Sequence, residues 1–377
     1  MPRSLRLIAS SVEEGFDRAR MHLRRLTGLD DPVHVQVYRG HGTRSRVIVS
    51  GSVFIAKERE PKRFRPAILT DLRATLGRYI ERGVMGARLT VSLGGAGTGV
   101  TSDSDGFFEA ALDVDLPAED RVLWPEVTVR LEDFPGSRQP PSEHSGEVLV
   151  PGGDADIGLV SDIDDTVMRT GVHDLRRNWR QAIRSDPELR EAFPGLAELY
   201  LGMTHDERGV QRRPVFYVSS AAWGFYPLFR DFMALRDVPA GPLFLKNYGL
   251  DRNQWFVGGH RAHKAQVIER LLAFYPRMRF VLVGDSGQQD ARIYADIVSG
   301  HPERILAVWI RDVANAPERR AEVADLVDEL KRTGVRAAFG PNLVAAARQA
   351  AEEGWMPRRA VEPVVRAVEA AASADAR

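Results

Sequence analysis

Val160-Ser161-Asp162-Ile163-Asp164-Asp165-Thr166 is the stretch on which the fold turns. It follows the apolar run Ile157-Gly158-Leu159-Val160, which is short and lies close behind the Gly152-Gly153 turn signal. That context predicts a buried strand rather than a helix. Acidic side chains at Asp162 and Asp164, released where such a strand ends, are unfavourable unless a cation or a proton compensates them. The plain expectation is a metal. In an open parallel sheet, ligands bind outside the C-terminal ends of the strands, near the point where strand order reverses. Asp162 is expected as the first residue past such an end.

The 377 residues are 44% hydrophobic and 28% charged, enough for two or three globular domains that each bury a core. Lys+Arg and Asp+Glu both number 52, which gives no electrostatic reason to expect nucleic acid as a partner. Cysteine is absent, which excludes disulfides, Cys-based metal sites and Cys nucleophiles. No apolar run approaches the roughly 18 residues of a spanning helix, and no apolar signal segment opens the chain. The expected location is therefore cytoplasmic. Residues 1–30 read as an N-terminal amphipathic helix, with Leu5, Ile8, Val12, Phe16 and Met21 along one stripe and arginines near its end. A basic amphipathic helix is a candidate for peripheral membrane contact, although most such helices pack on their own domain.

Residues 31–150 read as a small β-sandwich: Val33, Val35 and Val37 alternate with polar residues, and 47–49, 53–55, 89–93 and 127–131 are further short strands between Gly, Ser and Pro clusters. Thr101-Ser102-Asp103-Ser104-Asp105-Gly106 has a superficial calcium-loop look, but Thr101 and Leu112 stand where the loop pattern wants acids. A hairpin turn on Asp105-Gly106 is the better reading. Gly94-Gly95-Ala96-Gly97-Thr98-Gly99 lacks the strand-loop-helix context of a dinucleotide site and reads as a glycine-rich loop.

From 151 to 356 apolar strands alternate with amphipathic helices, which predicts an α/β domain with a doubly wound, mostly parallel sheet; a helical tail occupies 357–377. The run 215–218 releases Ser219 and Ser220, the run 280–283 releases Gly284-Asp285 and then Asp290, and Lys264 is expected to open the helix that leads into the latter strand. Carboxylates, a hydroxyl and an ammonium thus converge on one edge of a sheet. His260-x-x-His263 has no nearby third ligand and is read as a loop before the Lys264 helix, not as a zinc pair.

Asp162-Ile163-Asp164-Asp165-Thr166, Ser219, Lys264 and Gly284-Asp285-Ser286-Gly287-Gln288-Gln289-Asp290 resemble motifs one to four of the haloacid dehalogenase-like phosphohydrolases. More narrowly, with Tyr217-Val218-Ser219-Ser220 and Gly241-Pro242-Leu243, residues from about 155 to 315 resemble the catalytic domain of the actin-patch-protein type of phosphatidate phosphatase. Ser220-Ala221-Ala222-Trp223 departs from that family's more usual run after the motif-two serine. The resemblance implies an Mg²⁺ site formed by Asp162, the Asp164 backbone carbonyl and Asp285, with Asp290 as an indirect ligand. It also fits roles that the chemistry supports directly. Asp162 is the nucleophile that forms an aspartyl-phosphate, Asp164 the general acid-base, and Ser219 and Lys264 the groups that bind phosphoryl oxygens. An acid at Asp164 favours a phosphatase, since a halide leaving group needs no proton.

Residues 167–213 form an insert between the first two motifs, read either as a lid over the site or as a surface helical hairpin. Three functions remain: an Mg²⁺-dependent phosphohydrolase of phosphatidate or a related lipid phosphate; a hydrolase or phosphotransferase on a soluble phosphomonoester; and a non-catalytic adaptor. The four groups Asp162, Asp164, Lys264 and Asp285 together argue against the adaptor.

Overall fold

The structure, a computed structural model, describes residues 33–55, 82–136, 139–163, 193–246, 259–287, 289–313 and 316–375. The expected N-terminal helix, Asp164, and positions 167–192 of the insert lie outside these residues. Two compact units are present among them. One comprises 33–40, 46–55, 82–114 and 126–147, and the other 41–45, 115–125 and 148–375.

The upstream strands are β1 Val33–Val37, β2 Gly40–Gly42, β3 Arg46–Ile55, β4 Arg82–Gly83, β5 Arg88–Leu93, β6 Ala96–Thr101, β7 Phe107–Asp113, β8 Glu126–Asp133 and β9 Ser142–Leu149. Strand β3 pairs antiparallel with β1, β4 and β7, while β5 pairs with β6 and β8, and β8 with β9. The hydrogen-bonded path runs β1-β3-β2-β9-β8-β5-β6. The two runs expected at 47–49 and 53–55 are one strand, because alternation persists through Ser50-Gly51-Ser52. The glycine-rich stretch is also shorter as a loop than expected: Gly94-Gly95 alone turns, Leu93 pairs with Ala96, and Ala96–Thr101 is strand. At the other hairpin Gly106 has φ 77°, and Asp103 Oδ1 accepts from the Asp105 and Phe107 amides at 2.9 Å each.

The second unit holds a six-stranded sheet in which every pair is parallel, β10 Ile157–Asp162, β11 Val215–Ala222, β12 Leu243–Lys246, β13 Arg279–Asp285, β14 Ile305–Arg311 and β15 Arg336–Gly340. Its order is β12-β11-β10-β13-β14-β15, so the direction of progression reverses beside β10. All six residues of β10 and the last six of β13 are buried, the uninterrupted burial of strands covered on both faces. The helices are α1 Leu196–Thr204, α2 Tyr226–Leu235, α3 Gly259–Phe274, α4 Asp290–Gly300, α5 Pro317–Arg332, α6 Val344–Glu352 and α7 Val361–Asp375. The core joins sheet residues such as Val160, Phe216, Leu282 and Ile310 to Ile268, Leu271, Ile293 and Val327 of the helices.

Helix α3 starts earlier than the sequence predicts. His260 and His263 are helical, and Lys264 lies in the second turn; no proline separates Gly259 from Lys264, and Ala262, Lys264, Ala265 and Gln266 favour helix. The tail packs on α1 of the same chain: a Cβ at Gly195 would meet Val364 Cγ1 at 2.9 Å. In the described part of the insert, Phe193, Leu196, Leu199, Tyr200 and Met203 are core residues.

His41 belongs to this unit and is walled by the rings of Phe244, Phe274 and Tyr275, at centroid distances of 5.3, 4.8 and 6.0 Å. The Tyr275 hydroxyl donates to Gly42 O and lies 3.2 Å from His41 Nδ1. Its single proton being so used, Nδ1–H is the donor to it. Burial first, and then the Arg270 charge, push the His41 pKa down from 6.5 to about 4. The folded value lies below the unfolded one. Stability from this site is therefore complete above pH 6.5 and lost as pH falls toward 4, by at most roughly 3 kcal/mol. Urea midpoints measured across that window are expected to fall more steeply for the wild type than for His41→Gln.

Candidate active site

Strands β10 and β13 part at their C-terminal ends. Their pairing runs through Ser161↔Val283 and stops there, one step before Asp162 and Gly284 would face each other. Asp162 is thus the last residue of β10 rather than the first beyond it. In a continued ladder the Asp162 carbonyl would accept the Asp285 N–H. Instead the Asp285 N–H donates to Asp290 Oδ2 at 3.3 Å, and the Asp162 carbonyl accepts from the Ser161 hydroxyl at 2.7 Å. Side chains thus satisfy the two backbone groups that the splay would orphan.

The opening holds a compact charged cluster. Oxygens of Asp162, Asp285 and Asp290 lie within 4.8 Å of one another, and all three side chains have zero exposure. Lys264 Nζ reaches over from α3 to donate to Asp162 Oδ1 at 2.8 Å and, more closely, to Asp290 Oδ1. Burial alone would lower the Lys264 pKa, but the Asp162 and Asp290 charges and hydrogen bonds outweigh it and hold the pKa well above the ordinary lysine value. Lys264 is therefore an ammonium at physiological pH.

Local geometry explains how the chain reaches this arrangement. Asp290 is the first residue of α4, where the helix dipole favours a negative charge. Gly284 makes its approach possible: a Cβ there would lie 2.4 Å from Asp290 Oδ2 and 2.9 Å from Tyr294 Cε2. Asp285 Oδ1 accepts from Gly287 N at 2.6 Å, an Asx-type turn that bends the chain away from β13. The next residue stitches neighbouring loops: Ser286 Oγ donates to Asp312 Oδ1 at 3.2 Å and accepts from Val313 N at 2.8 Å. Arg320 Nε in turn pairs with Asp312 Oδ2 at 2.5 Å.

Of the residues expected from the sequence, Asp162, Lys264, Asp285 and Asp290 are brought together. Ser219 is buried one step past Val218, the register partner of Asp162, and its Oγ accepts from Ala221 N at 3.0 Å. Asp164 lies outside the described residues. His263 Nε2 sits 3.5 Å from Phe244 O and belongs to no metal-capable cluster among the described residues. Three features escape sequence reasoning: Gly284 as the space for Asp290; the buried Arg311, opposite Asp285 in register with its guanidinium 3.1 Å above the Phe193 ring; and Tyr200, whose hydroxyl donates to Ser161 Oγ at 2.6 Å. Only Tyr200 has a usable signal. Leu196, Leu199, Tyr200 and Met203 make an apolar stripe at helical spacing.

Taken by themselves, three buried carboxylates and one ammonium carry a net charge of about minus two, and all the carboxylate donors are oxygen. A hard divalent cation such as Mg²⁺ fits that set, with Asp162, Asp285 and Asp290 as the described residues able to hold it.

Residues 157–312 match the family model of the catalytic domain of phosphatidate phosphatase APP1, which bears out the resemblance carried by the motifs. Over 178 residues the chain is 32% identical to phosphatidate phosphatase APP1 of Saccharomyces cerevisiae, covering 46% of this chain and 30% of that protein. It is 29% identical over 159 residues to an uncharacterized protein of Schizosaccharomyces pombe, covering 42% and 25% respectively. The chain thus spans less than a third of either relative. A carbohydrate acetylesterase from Xanthomonas citri aligns with 87% of this chain and 71% of its own at 11% identity, but the TM-score of 0.27 gives that likeness no weight.

Two substitutions test the geometry. Gly284→Ala forces Asp290 aside and is expected to lower stability by about 1–3 kcal/mol and to weaken Mg²⁺ binding measured by calorimetry. Lys264→Met removes the ammonium from among the carboxylates and is expected to lose roughly 3–5 kcal/mol, partly restored by millimolar Mg²⁺ in the same denaturation experiment.

Proposed function

We propose that the chain is an Mg²⁺-dependent phosphohydrolase that works through an aspartyl-phosphate and acts on phosphatidate or a related lipid phosphate. The observation that carries this reading is the buried cluster of Asp162, Asp285 and Asp290 around Lys264, set where strand order reverses. The strand order β12-β11-β10-β13-β14-β15 supports a doubly wound sheet of haloacid dehalogenase-like type. The alternating burial of the upstream strands supports a sandwich.

Asp162 is the attacking group. It is held at the strand end by Lys264 and by the backbone capping described above, so that little reorganisation precedes attack. Lys264 supplies a fixed positive charge where phosphoryl oxygens gather negative charge. Ser219, within the adjacent strand β11, which runs on to Ala222 rather than ending at Val218, is assigned to donate its hydroxyl proton to the same oxygens. Asp164, from its place two residues beyond the nucleophile, is assigned to protonate the leaving alkoxide and then to deprotonate the attacking water. Bound Mg²⁺ would shield the repulsion between a carboxylate nucleophile and an anionic phosphate.

The lipid component of the proposal is supported by the relative's name, phosphatidate phosphatase, and by the match of residues 157–312 to that catalytic domain. No helix among the described residues is long and apolar enough to cross a membrane. A lipid phosphate presents its headgroup at a membrane surface, and we place the protein in the cytoplasm with peripheral access to that surface.

Phosphate release should be measured from phosphatidate in mixed micelles and from p-nitrophenyl phosphate, with and without Mg²⁺. Asp162→Asn is expected to lower kcat by roughly 10³-fold or more while the protein stays folded, and Mg²⁺ removal to abolish turnover. Full activity in Asp162→Asn would refute the mechanism. A preference for p-nitrophenyl phosphate, together with no binding to anionic vesicles, would shift the substrate to a soluble phosphomonoester.

A further inference from the structure

We propose that Ser161 and Tyr200 are positioning residues for Asp162, a two-hydroxyl relay that fixes the nucleophile where its strand leaves its neighbour. The setting is the splay. The ladder between β10 and β13 stops at Ser161↔Val283, and the next donor on β13, the Asp285 N–H, is turned to Asp290. The Asp162 carbonyl is bonded by a side-chain hydroxyl instead. The N–H of the same peptide, that of Ile163, donates to Val218 O on β11 at 3.2 Å. The Ser161 hydroxyl thus holds the side of that peptide left open by the splay, and with it helps fix the direction in which the Asp162 side chain leaves the strand.

The relay has a defined sense. Ser161 Oγ donates its single proton to Asp162 O at 2.7 Å. The contact at 2.6 Å from Tyr200 must then be a donation from the tyrosine into Ser161 Oγ. Donors and acceptors alternate, and hydrogen bonds in such a chain polarise and strengthen one another. Ser161, Asp162 and Tyr200 all have zero exposure, so water does not compete. Tyr200 keeps its proton: burial raises its pKa well above the ordinary tyrosine value, the Ser161 hydrogen bond opposes this in part, and the Asp162 charge raises it further.

The anchor at the far end is rigid. Tyr200 stands on α1, and a Cβ at Gly195 or Gly202 would meet Val364 Cγ1 at 2.9 Å or Met356 Cε at 2.8 Å. Close packing of α1 against Met356 and α7 leaves the helix little room to shift. A serine at 161 is thus suited to its position in one respect above all. Its side chain bonds the main chain of the next residue, and a second buried hydroxyl keeps its proton aimed there.

The kinetic half of the test rests on the phosphatase reading; the metal-binding half does not. Tyr200→Phe removes one oxygen and keeps the ring in the core. It is expected to lower kcat on phosphatidate about 10- to 100-fold, the scale of a nucleophile displaced by up to ~1 Å, with KM changed less than about threefold. Mg²⁺ affinity by calorimetry should weaken about three- to tenfold, because a ligand carboxylate is less fixed. Ser161→Ala should do at least as much, and the double variant no more than Ser161→Ala, since Tyr200 acts through Ser161.

Wild-type kcat and Mg²⁺ affinity in Tyr200→Phe, with only the thermal midpoint lowered, would reduce the relay to core packing and overturn the proposal. Additive losses in the double variant would do the same. If the wild type releases no phosphate from either substrate, the phosphatase reading fails and the calorimetry alone decides the relay. A wild type with neither activity nor Mg²⁺ binding overturns both.

Discussion

The ammonium of Lys264 lies between the buried carboxylates of Asp162 and Asp290, and much of the second unit is arranged so that it can. Helix α3 must start early enough to place Lys264 in its second turn over the sheet edge. Helix α4 must begin at Asp290, whose charge its dipole favours. Residue 284 must lack a side chain. Without the lysine, the mutual repulsion of three buried carboxylates would outweigh any packing gained by bringing these ends together.

The second constraint is the parting of β10 and β13. A continuous parallel ladder leaves no space between strands, and a site at the sheet edge needs such a space. The backbone groups released by the parting are satisfied by residues that also belong to the site: Asp290 takes the Asp285 N–H and pairs with Lys264, while Ser161 takes the Asp162 carbonyl and is held by Tyr200. Electrostatics and strand geometry are therefore solved by overlapping sets of atoms. Gly284 bears directly on the Asp290 carboxylate, while Ser161 and Tyr200 reach Asp162 through its main chain.

The strand ends are legible in the sequence because a parallel sheet buried on both faces writes its strands as short unbroken apolar runs. Three of the site residues then appear within two positions of the end of an apolar run: Asp162 after Val160-Ser161, Ser219 after Val218, Asp285 after Val283-Gly284. The antiparallel half is less sharp. Glycine and serine at 50–52 look like a turn but sit inside β3, where a Cβ at Gly51 would lie 2.5 Å from Gln36 O. The early start of α3 is hidden because the pair Gly258-Gly259 reads as loop punctuation, whereas the helix has already begun at Gly259. The roles of Gly284, Arg311 and Tyr200 are hidden for another reason, although the helical stripe marks Tyr200 itself as buried. Their importance depends on what lies across the fold, at Asp290, Phe193 and Ser161, and no local pattern carries that information.

The same separation of local from distant information explains how the site is maintained. Buried charge and an interrupted ladder both weaken a fold, so the stabilising contacts must lie elsewhere. Val160, Phe216, Phe280 and Leu282 supply the middle of the sheet, where the strands are fully paired and the burial is apolar. Between β10 and β13 the pairing is regular until the last residue or two of each strand. A strand thus stabilises the domain along its length and releases its functional group at its tip. The edge can hold a costly arrangement of charge because the apolar layers beneath it, and not the edge itself, hold the strands in register.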